Sequence, residues 1–256
     1  MPSIIDVKHV NKAFGGLTVI DDCSISVERG SITGLIGPNG AGKSTLFNII
    51  AGALPLDSGQ VLLDGEDITN LPANQLFHKG LLRTFQIAHE FSQLTALENL
   101  MMVPPKQLGE SLYSAWFKPG QVRAQETEVR QRALEVIDFI GLSHVRNELA
   151  GNLSGGQKKL LELGRTMMTD ARVVLLDEIA AGVNRTLLGE LITNIERLNR
   201  EMGYTFLVIE HDMDMIARLC DPVIVLAQGR VMVEGSIEEI QNNPEVIEAY
   251  FGAGAA

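Results

Sequence analysis

The chain has 256 residues, 45% hydrophobic and 21% charged, and a formal net charge of -11 from 21 basic and 32 acidic side chains. A chain of this length buries a substantial core, and its balance of apolar and charged residues excludes a disordered protein. The acidic excess excludes a protein that coats nucleic acid, which needs a basic face, and direct adhesion to anionic lipid.

The N-terminus, Met1 to Lys8, turns charged before an apolar core of signal length is reached, so no secretory signal is expected. Ser31 to Ile36 is a short apolar run that reads as a strand, and Ser44 to Ala51 reads as a helix. Gln60 to Gly65 reads as a strand running into a turn. The segment 103–123 holds Pro104, Pro105, Pro119 and the single tryptophan, Trp116, and is expected to be an extended loop packed by its aromatics. From Ala124 to Ile140 the apolar residues Val129, Ala133, Val136, Ile137 and Ile140 fall at helical spacing. A second helix is expected from Lys158 to Met168. Val173 to Leu176 and Thr205 to Ile209 read as buried strands, and Val223–Ala227 and Arg230–Glu234 flank Gln228-Gly229 as a hairpin. No apolar run approaches the roughly 18 residues of a membrane span, so work at a membrane has to go through a partner. The two cysteines, Cys23 and Cys220, lie outside any metal-ligand spacing and read as reduced thiols.

Three motifs carry chemistry. Gly37-Pro38-Asn39-Gly40-Ala41-Gly42-Lys43-Ser44-Thr45 follows a strand and opens a helix. Its glycines let the backbone curl so that successive N–H groups point at phosphate oxygens, and the helix start adds partial positive charge. Lys43 would reach the β- and γ-phosphates of a nucleotide, and the Ser44 hydroxyl would ligate Mg²⁺. Asp177 and Glu178 end an apolar strand, which puts carboxylates at the ligand edge of a sheet. Asp177 would hold Mg²⁺ and Glu178 would polarise the water attacking the γ-phosphate. Leu153-Ser154-Gly155-Gly156-Gln157 leads into a helix and offers a second anion site, with an ordinary Ser-capped helix as the competing reading. Two phosphate loops with one lysine between them are explained if Ser154, Gly155, Gly156 and Gln157 serve a nucleotide held by another subunit.

This set, in this order, resembles the ABC transporter ATPase family along essentially the whole chain. The resemblance implies an α/β fold: a P-loop NTPase (RecA-like) core with an antiparallel β subdomain and an inserted helical subdomain. The expected division is one domain over 1–256, with 1–87 and 161–256 forming the core and β subdomain and 88–160 the helical insert. It also implies roles at matching positions. Gln86, in Arg83-Thr84-Phe85-Gln86, would sense Mg²⁺ and water; His211, in Glu210-His211-Asp212, would contact the γ-phosphate; Phe14 would stack on adenine. A lone loop histidine or a core aromatic is the competing reading of the last two.

Phe14-Gly15-Gly16-Leu17, the long 101–130 stretch, Ala180-Ala181-Gly182-Val183-Asn184 and the ending Asn243 to Gly252 are similar to the ATPases of branched-chain and neutral amino-acid importers. That implies transmembrane permease subunits, a second ATPase subunit that is an identical copy or a paralogue, and indirectly a solute-binding protein, with no nucleic acid. The chain would sit at the cytoplasmic face of the inner membrane, held there through the permeases. The sequence departs from the family at three positions: Ile179 stands where a proline follows the catalytic Glu, Asn184 where an aspartate is common, and Arg185 where the subgroup often has proline. Without the proline, Glu178 escapes the pre-proline restriction and a looser placement is expected.

Other readings are weaker. A soluble ABC protein would carry long coiled coils, a zinc hook or two ATPase halves. A GTPase would carry Asn-Lys-x-Asp, and Asn11-Lys12-Ala13-Phe14 fails at its last position. The lipopolysaccharide-export ATPases share the core but generally lack the 101–130 extension.

Overall fold

The structure is a computed structural model that describes residues 2–84, 90–105 and 107–251. The chain divides into two compact units, one of Met1–Arg83, Ala171–Ala180 and Ile195–Ala256, the other of Thr84–Asp170 and Ala181–Asn194.

The first unit opens with two long strands, β1 (Ser3–Phe14) and β2 (Leu17–Glu28), then β3 (Ile32–Ile36), helix α1 (Lys43–Ile50), β4 (Ser58–Leu63), β5 (Glu66–Asp67), α2 (Ala73–His78) and β6 (Leu81–Arg83). The second unit supplies α3 (Ala96–Met101), α4 (Leu112–Phe117), α5 (Pro119–Phe139) and α6 (Gly155–Met167). The chain then returns through β7 (Val173–Asp177), α7 (Arg185–Met202), β8 (Thr205–Ile209), α8 (Met213–Leu219), β9 (Val223–Ala227), β10 (Arg230–Gly235), α9 (Ile237–Gln241) and α10 (Pro244–Phe251).

Two sheets build the first unit. One is antiparallel, in the order β2-β1-β4-β5. The other runs β10-β9-β3-β8-β7-β6 and is parallel except for the edge strand β10. Its central strands β3, β7 and β8 are buried at every residue. Strands covered on both faces read as continuous apolar runs, which is why they stand out in the sequence. Ile5, Val7, Ile20 and Val61 of the antiparallel sheet join Leu46, Phe47 and Ile50 of α1 and Leu35, Leu175 and Leu207 of the parallel sheet in one core. Cys23 and Cys220 are buried free thiols, and burial pushes their pKa values up to about 11 and about 12. Thiols held protonated in this way are poor nucleophiles.

In the second unit α5 turns Ala133, Val136 and Ile137 inward and packs on α3 and α6. Gly164 of α6 permits the approach, since a Cβ there would stand 2.8 Å from Ile140 Cδ1. The segment 103–123 corrects the expectation of an extended loop. It forms a 3-10 turn at Leu108–Glu110, the short helix α4 and the first turn of α5. Pro119 occupies the first turn of α5, where its missing N–H costs nothing, so it starts a helix rather than preventing one. The aromatics do not pack the segment down: Tyr113 and Phe117 meet one helical turn apart with tilted rings, 4.9 Å between centroids, and Trp116 is 82% exposed. Among the described residues no helix is long and apolar enough to cross a membrane.

Candidate functional site

Four strands of the parallel sheet, β3, β6, β7 and β8, point their C-terminal ends the same way and deliver functional side chains to one edge. That edge is where open α/β sheets bind ligands.

The loop after β3 is shaped by three glycines. A Cβ on Gly37 would stand 2.0 Å from the Leu226 carbonyl oxygen, so no other residue fits there. Gly40 and Gly42 have φ of 81° and 101°, left-handed values that glycine adopts without strain. Gly42 precedes α1, and a Cβ there would also meet Ile20 Cδ1 at 2.7 Å and the Val19 carbonyl at 2.8 Å. Two backbone bonds hold the loop from behind: Gly229 N–H donates to the Ala41 carbonyl and Asp21 N–H to the Gly229 carbonyl, both at 3.0 Å. Among the described residues no side chain caps α1. Its terminal N–H groups and the aligned peptide dipoles therefore favour an anion. Lys43 is buried and donates to the carbonyls of Gly37 at 2.8 Å and Pro38 at 3.1 Å. Burial holds its pKa below the ordinary lysine value, and the Glu178 carboxylate opposes that shift. Asn39, Gly40 and Ser44 are exposed at the mouth of the loop.

Asp177 ends β7 in register with Ile209 of β8. Its carboxylate accepts a 2.6 Å bond from Arg83 at the end of β6. Arg83 also bonds the Asn48 side chain of α1 and lies over the Phe47 ring, 5.7 Å from its centroid. Glu178 takes a left-handed φ of 48° and donates its N–H to the Ile209 carbonyl at 2.9 Å. His211 Nε2 lies 3.2 Å from Glu178 Oε1. Ile179, expected to leave Glu178 loosely placed, is instead buried at 4% exposure. The Glu178 backbone thus has support from the adjacent strand and from the buried Ile179 side chain.

Phe14 sits where β1 turns into β2 and is 48% exposed. Lys12 Nζ stands 5.5 Å from its ring centroid and is fixed by Asp57 at 2.7 Å. Asp57 also accepts from Ala13 N–H at 2.7 Å. These bonds, Lys12 first, hold the Asp57 carboxyl below the usual carboxylate range. A cation over one face and an open ring beyond suit a flat heterocycle.

The second glycine-rich loop belongs to the other unit. Ser154 Oγ accepts from Gln157 N–H at 3.3 Å, and Gln157 Oε1 accepts from Ser154 N–H at 3.0 Å, a closed capping box on α6. Ser154 and Gly155 are exposed, while Gly156 is packed on Leu187, whose Cδ1 would be 2.5 Å from an added Cβ. A 2.8 Å ion pair between Glu90 and Lys158 in the first turn, and Arg165 of the last turn over the Phe91 ring at 5.6 Å, hold α6 to the chain before α3. Asn184 Oδ1 accepts from Leu187 N–H at 3.0 Å and caps α7, so the amide keeps the capping function of the aspartate it replaces. Gln86 lies outside the described residues.

The sequence reading missed Arg83 and Glu210 as participants. Arg83 bonds a carboxylate 94 positions away and leaves no local pattern. Glu210, directly before His211, looks in sequence like a solvated acid but is buried.

The chain is similar to known proteins along nearly its whole length. Residues 20–181 match the family described as ABC transporter, and residues 230–256 match the one described as branched-chain amino acid ATP-binding cassette transporter. A probable branched-chain amino acid transport ATP-binding protein of Archaeoglobus fulgidus is 40% identical over 98% of this chain and 96% of its own length. A high-affinity branched-chain amino acid transport ATP-binding protein of Pseudomonas aeruginosa is 37% identical over 97% and 98%. Among solved structures, the ADP conformation of an ATP-binding cassette of an ABC transporter superposes with a TM-score of 0.82 at 35% identity, covering 98% of this chain and all of that one.

Proposed function

The chain belongs to the ABC transporter family as an ATP-binding, ATP-hydrolysing subunit, and from that premise we propose that it powers import of branched-chain or other neutral amino acids through membrane-embedded permeases. The observation that carries the reading is the convergence of Lys43, Asp177, Glu178 and His211 at the ends of adjacent strands. The match of residues 230–256 and the names of the relatives support the solute class.

In this reading the Gly37–Thr45 loop cradles the phosphates and Lys43 exchanges its two carbonyl partners for phosphate oxygens. Phe14 takes the adenine on its open face. Glu178 polarises the attacking water, and His211, which lies at hydrogen-bond distance from that carboxylate, contacts the γ-phosphate. Ser44 and Asp177 are hard oxygen donors, which suits Mg²⁺ arriving with phosphate ligands of its own. Arg83 occupies one Asp177 oxygen and leaves the other to face such an ion. Ser44 and Asp177, together with Gln86, would hold the ion, and it would supply neutralisation of the phosphate charge. Ser154, Gly155, Gly156 and Gln157 complete the site of a second ATPase subunit, a copy of this chain or a paralogue. The assembly rests on the cytoplasmic face of the membrane through its permeases and receives solute from a binding protein.

Glu178→Gln tests this reading. The amide fills the same space but accepts no proton from water, so turnover should fall about 10²–10⁴-fold while ATP binding persists and, where the second subunit is a copy of this chain, ATP-bound dimer accumulates. Uptake of labelled leucine, isoleucine and valine by cells carrying the variant should fall to background. Wild-type turnover would remove Glu178 from the reaction, and lost turnover with uptake of these solutes unaffected would remove the amino-acid assignment.

A further inference from the structure

We propose that Glu210 is a positioning residue, a buried clamp whose one carboxylate ties the loop after Glu178 to the loop that carries His211. The inference rests on the reading of Glu178 and His211 as the hydrolytic pair.

Glu210 is only 4% exposed. Its Oε1 accepts from Ala180 N–H at 2.8 Å, two residues past Glu178, and its Oε2 accepts from His211 N–H at 3.2 Å. The two oxygens therefore reach the backbones of two separate segments, each adjoining one member of the pair. The strands behind them are already in register, Asp177 against Ile209, and Glu178 N–H is bonded to the Ile209 carbonyl. The carboxylate extends that register past the strand ends, where the sheet ladder stops. Glu178 needs such support, because a non-glycine residue at φ 48° persists only where its surroundings impose it. The contact between His211 Nε2 and Glu178 Oε1 is the outcome.

The position is a poor place for an acid. Burial raises the Glu210 pKa, and the nearby Glu178 and Asp212 carboxylates raise it further, while its two backbone bonds oppose the shift. A residue needed only to fill space would be apolar here, since burying a carboxylate costs free energy that its hydrogen bonds have to offset. Two acceptor oxygens on one rigid group are what this position gains from an acid. Glutamine keeps the shape but places an NH₂ against one of the two N–H donors, and alanine removes both acceptors.

The test compares Glu210→Gln, Glu210→Ala and Glu178→Gln with the wild type in the full chain. Steady-state kinetics with Mg-ATP, ATP affinity by calorimetry, thermal midpoints and amide hydrogen exchange are measured together. In Glu210→Gln the expected result is a kcat lower by about 10–10²-fold, the size of effect a small misplacement produces. KM and ATP affinity should be unchanged, the midpoint should fall modestly because one backbone N–H loses its acceptor, exchange should speed up at His211 and Ala180 should stay protected. In Glu210→Ala both amides should exchange faster and kcat should fall further. If the alanine protein does not fold, the isosteric glutamine protein carries the test. A folded Glu210→Gln with wild-type kcat overturns the clamp, as does a kcat loss matched by an equal loss of ATP affinity. Glu178→Gln separates the two layers. If it loses turnover while Glu210→Gln does not, the clamp alone fails; if it keeps turnover, the pair and the clamp fail together.

Discussion

Helices α1 and α6 both begin at a glycine-rich turn, and they treat their leading N–H groups in opposite ways. At α1 the residue before the helix is Gly42, which has no side chain to offer, and Lys43 is buried behind the loop. At α6 it is Ser154, whose hydroxyl already accepts from Gln157, and Gln157 bonds back. The first helix start has no side-chain cap, and the second has a closed capping box at Ser154 and Gln157 that leaves the Gly155 and Gly156 N–H groups to an anion. A phosphate therefore finds a prepared cradle at α1, whereas at α6 it has to compete for the Gln157 N–H with a capping bond worth about 1 kcal/mol. In the proposed assembly this difference would let one chain carry two phosphate loops and bind nucleotide alone at only one, the self-capped loop meeting a nucleotide that a partner subunit already holds.

The glycines give the sharpest way to break this contrast. Gly37→Ala forces a methyl group onto the Leu226 carbonyl, a 2.0 Å clash with backbone that cannot yield. The expected result is no measurable ATP binding and a clear drop in thermal midpoint. Gly155→Ala meets nothing closer than the Gly182 carbonyl at 3.5 Å, and its helical position favours alanine. That variant should bind ATP as the wild type does and melt no earlier. Equal damage in the two would end the distinction between the loops.

Ser154→Asp is a subtler probe. Aspartate caps a helix as well as serine does, so stability should stay within a few tenths of a kcal/mol, yet its charge repels an incoming phosphate. ATP-dependent association, read by size-exclusion chromatography with Mg-ATP, should be lost while the lone chain still binds ATP. Association at wild-type levels would show that the second loop meets no phosphate.

Asn184→Asp calibrates the cap itself, at a helix start with no phosphate role. The capping bond to Leu187 N–H remains, and the added charge at the start of α7 stabilises by about 0.3–1 kcal/mol. A small rise in thermal midpoint with unchanged turnover is expected. A large change in turnover would give Asn184 a role beyond capping.

Much of this was legible in the sequence, for physical reasons that differ from place to place. A phosphate cradle uses contiguous backbone, so Gly37 to Thr45 announces itself, and strands buried on both faces announce themselves as unbroken apolar runs. The hairpin at Gln228-Gly229 was legible because both residues take positive φ, 49° and 79°, as a tight two-residue turn demands. The aromatic segment was misread because prolines suggest loops, yet Pro119 starts a helix and Trp116 faces solvent. The antiparallel β subdomain was expected only from the resemblance, and its strands β1 and β2 were not legible in the residues because bulges break their alternation, with His9 and Asp22 at positive φ. Arg83 and Glu210 were illegible because each acts across the sheet on residues remote in sequence.

The most direct test titrates ATP into the isolated wild-type chain, Lys43→Ala and Ser154→Ala by calorimetry. Lys43 is the buried cation of the prepared cradle, and charge-assisted hydrogen bonds contribute about 1.5–3 kcal/mol each. Lys43→Ala should therefore lose on the order of 10–10²-fold in affinity. Ser154→Ala should bind ATP with wild-type affinity and lose only ATP-dependent association. Loss of affinity in Ser154→Ala comparable to that in Lys43→Ala would contradict the account, because it would place both loops on the nucleotide of a single chain.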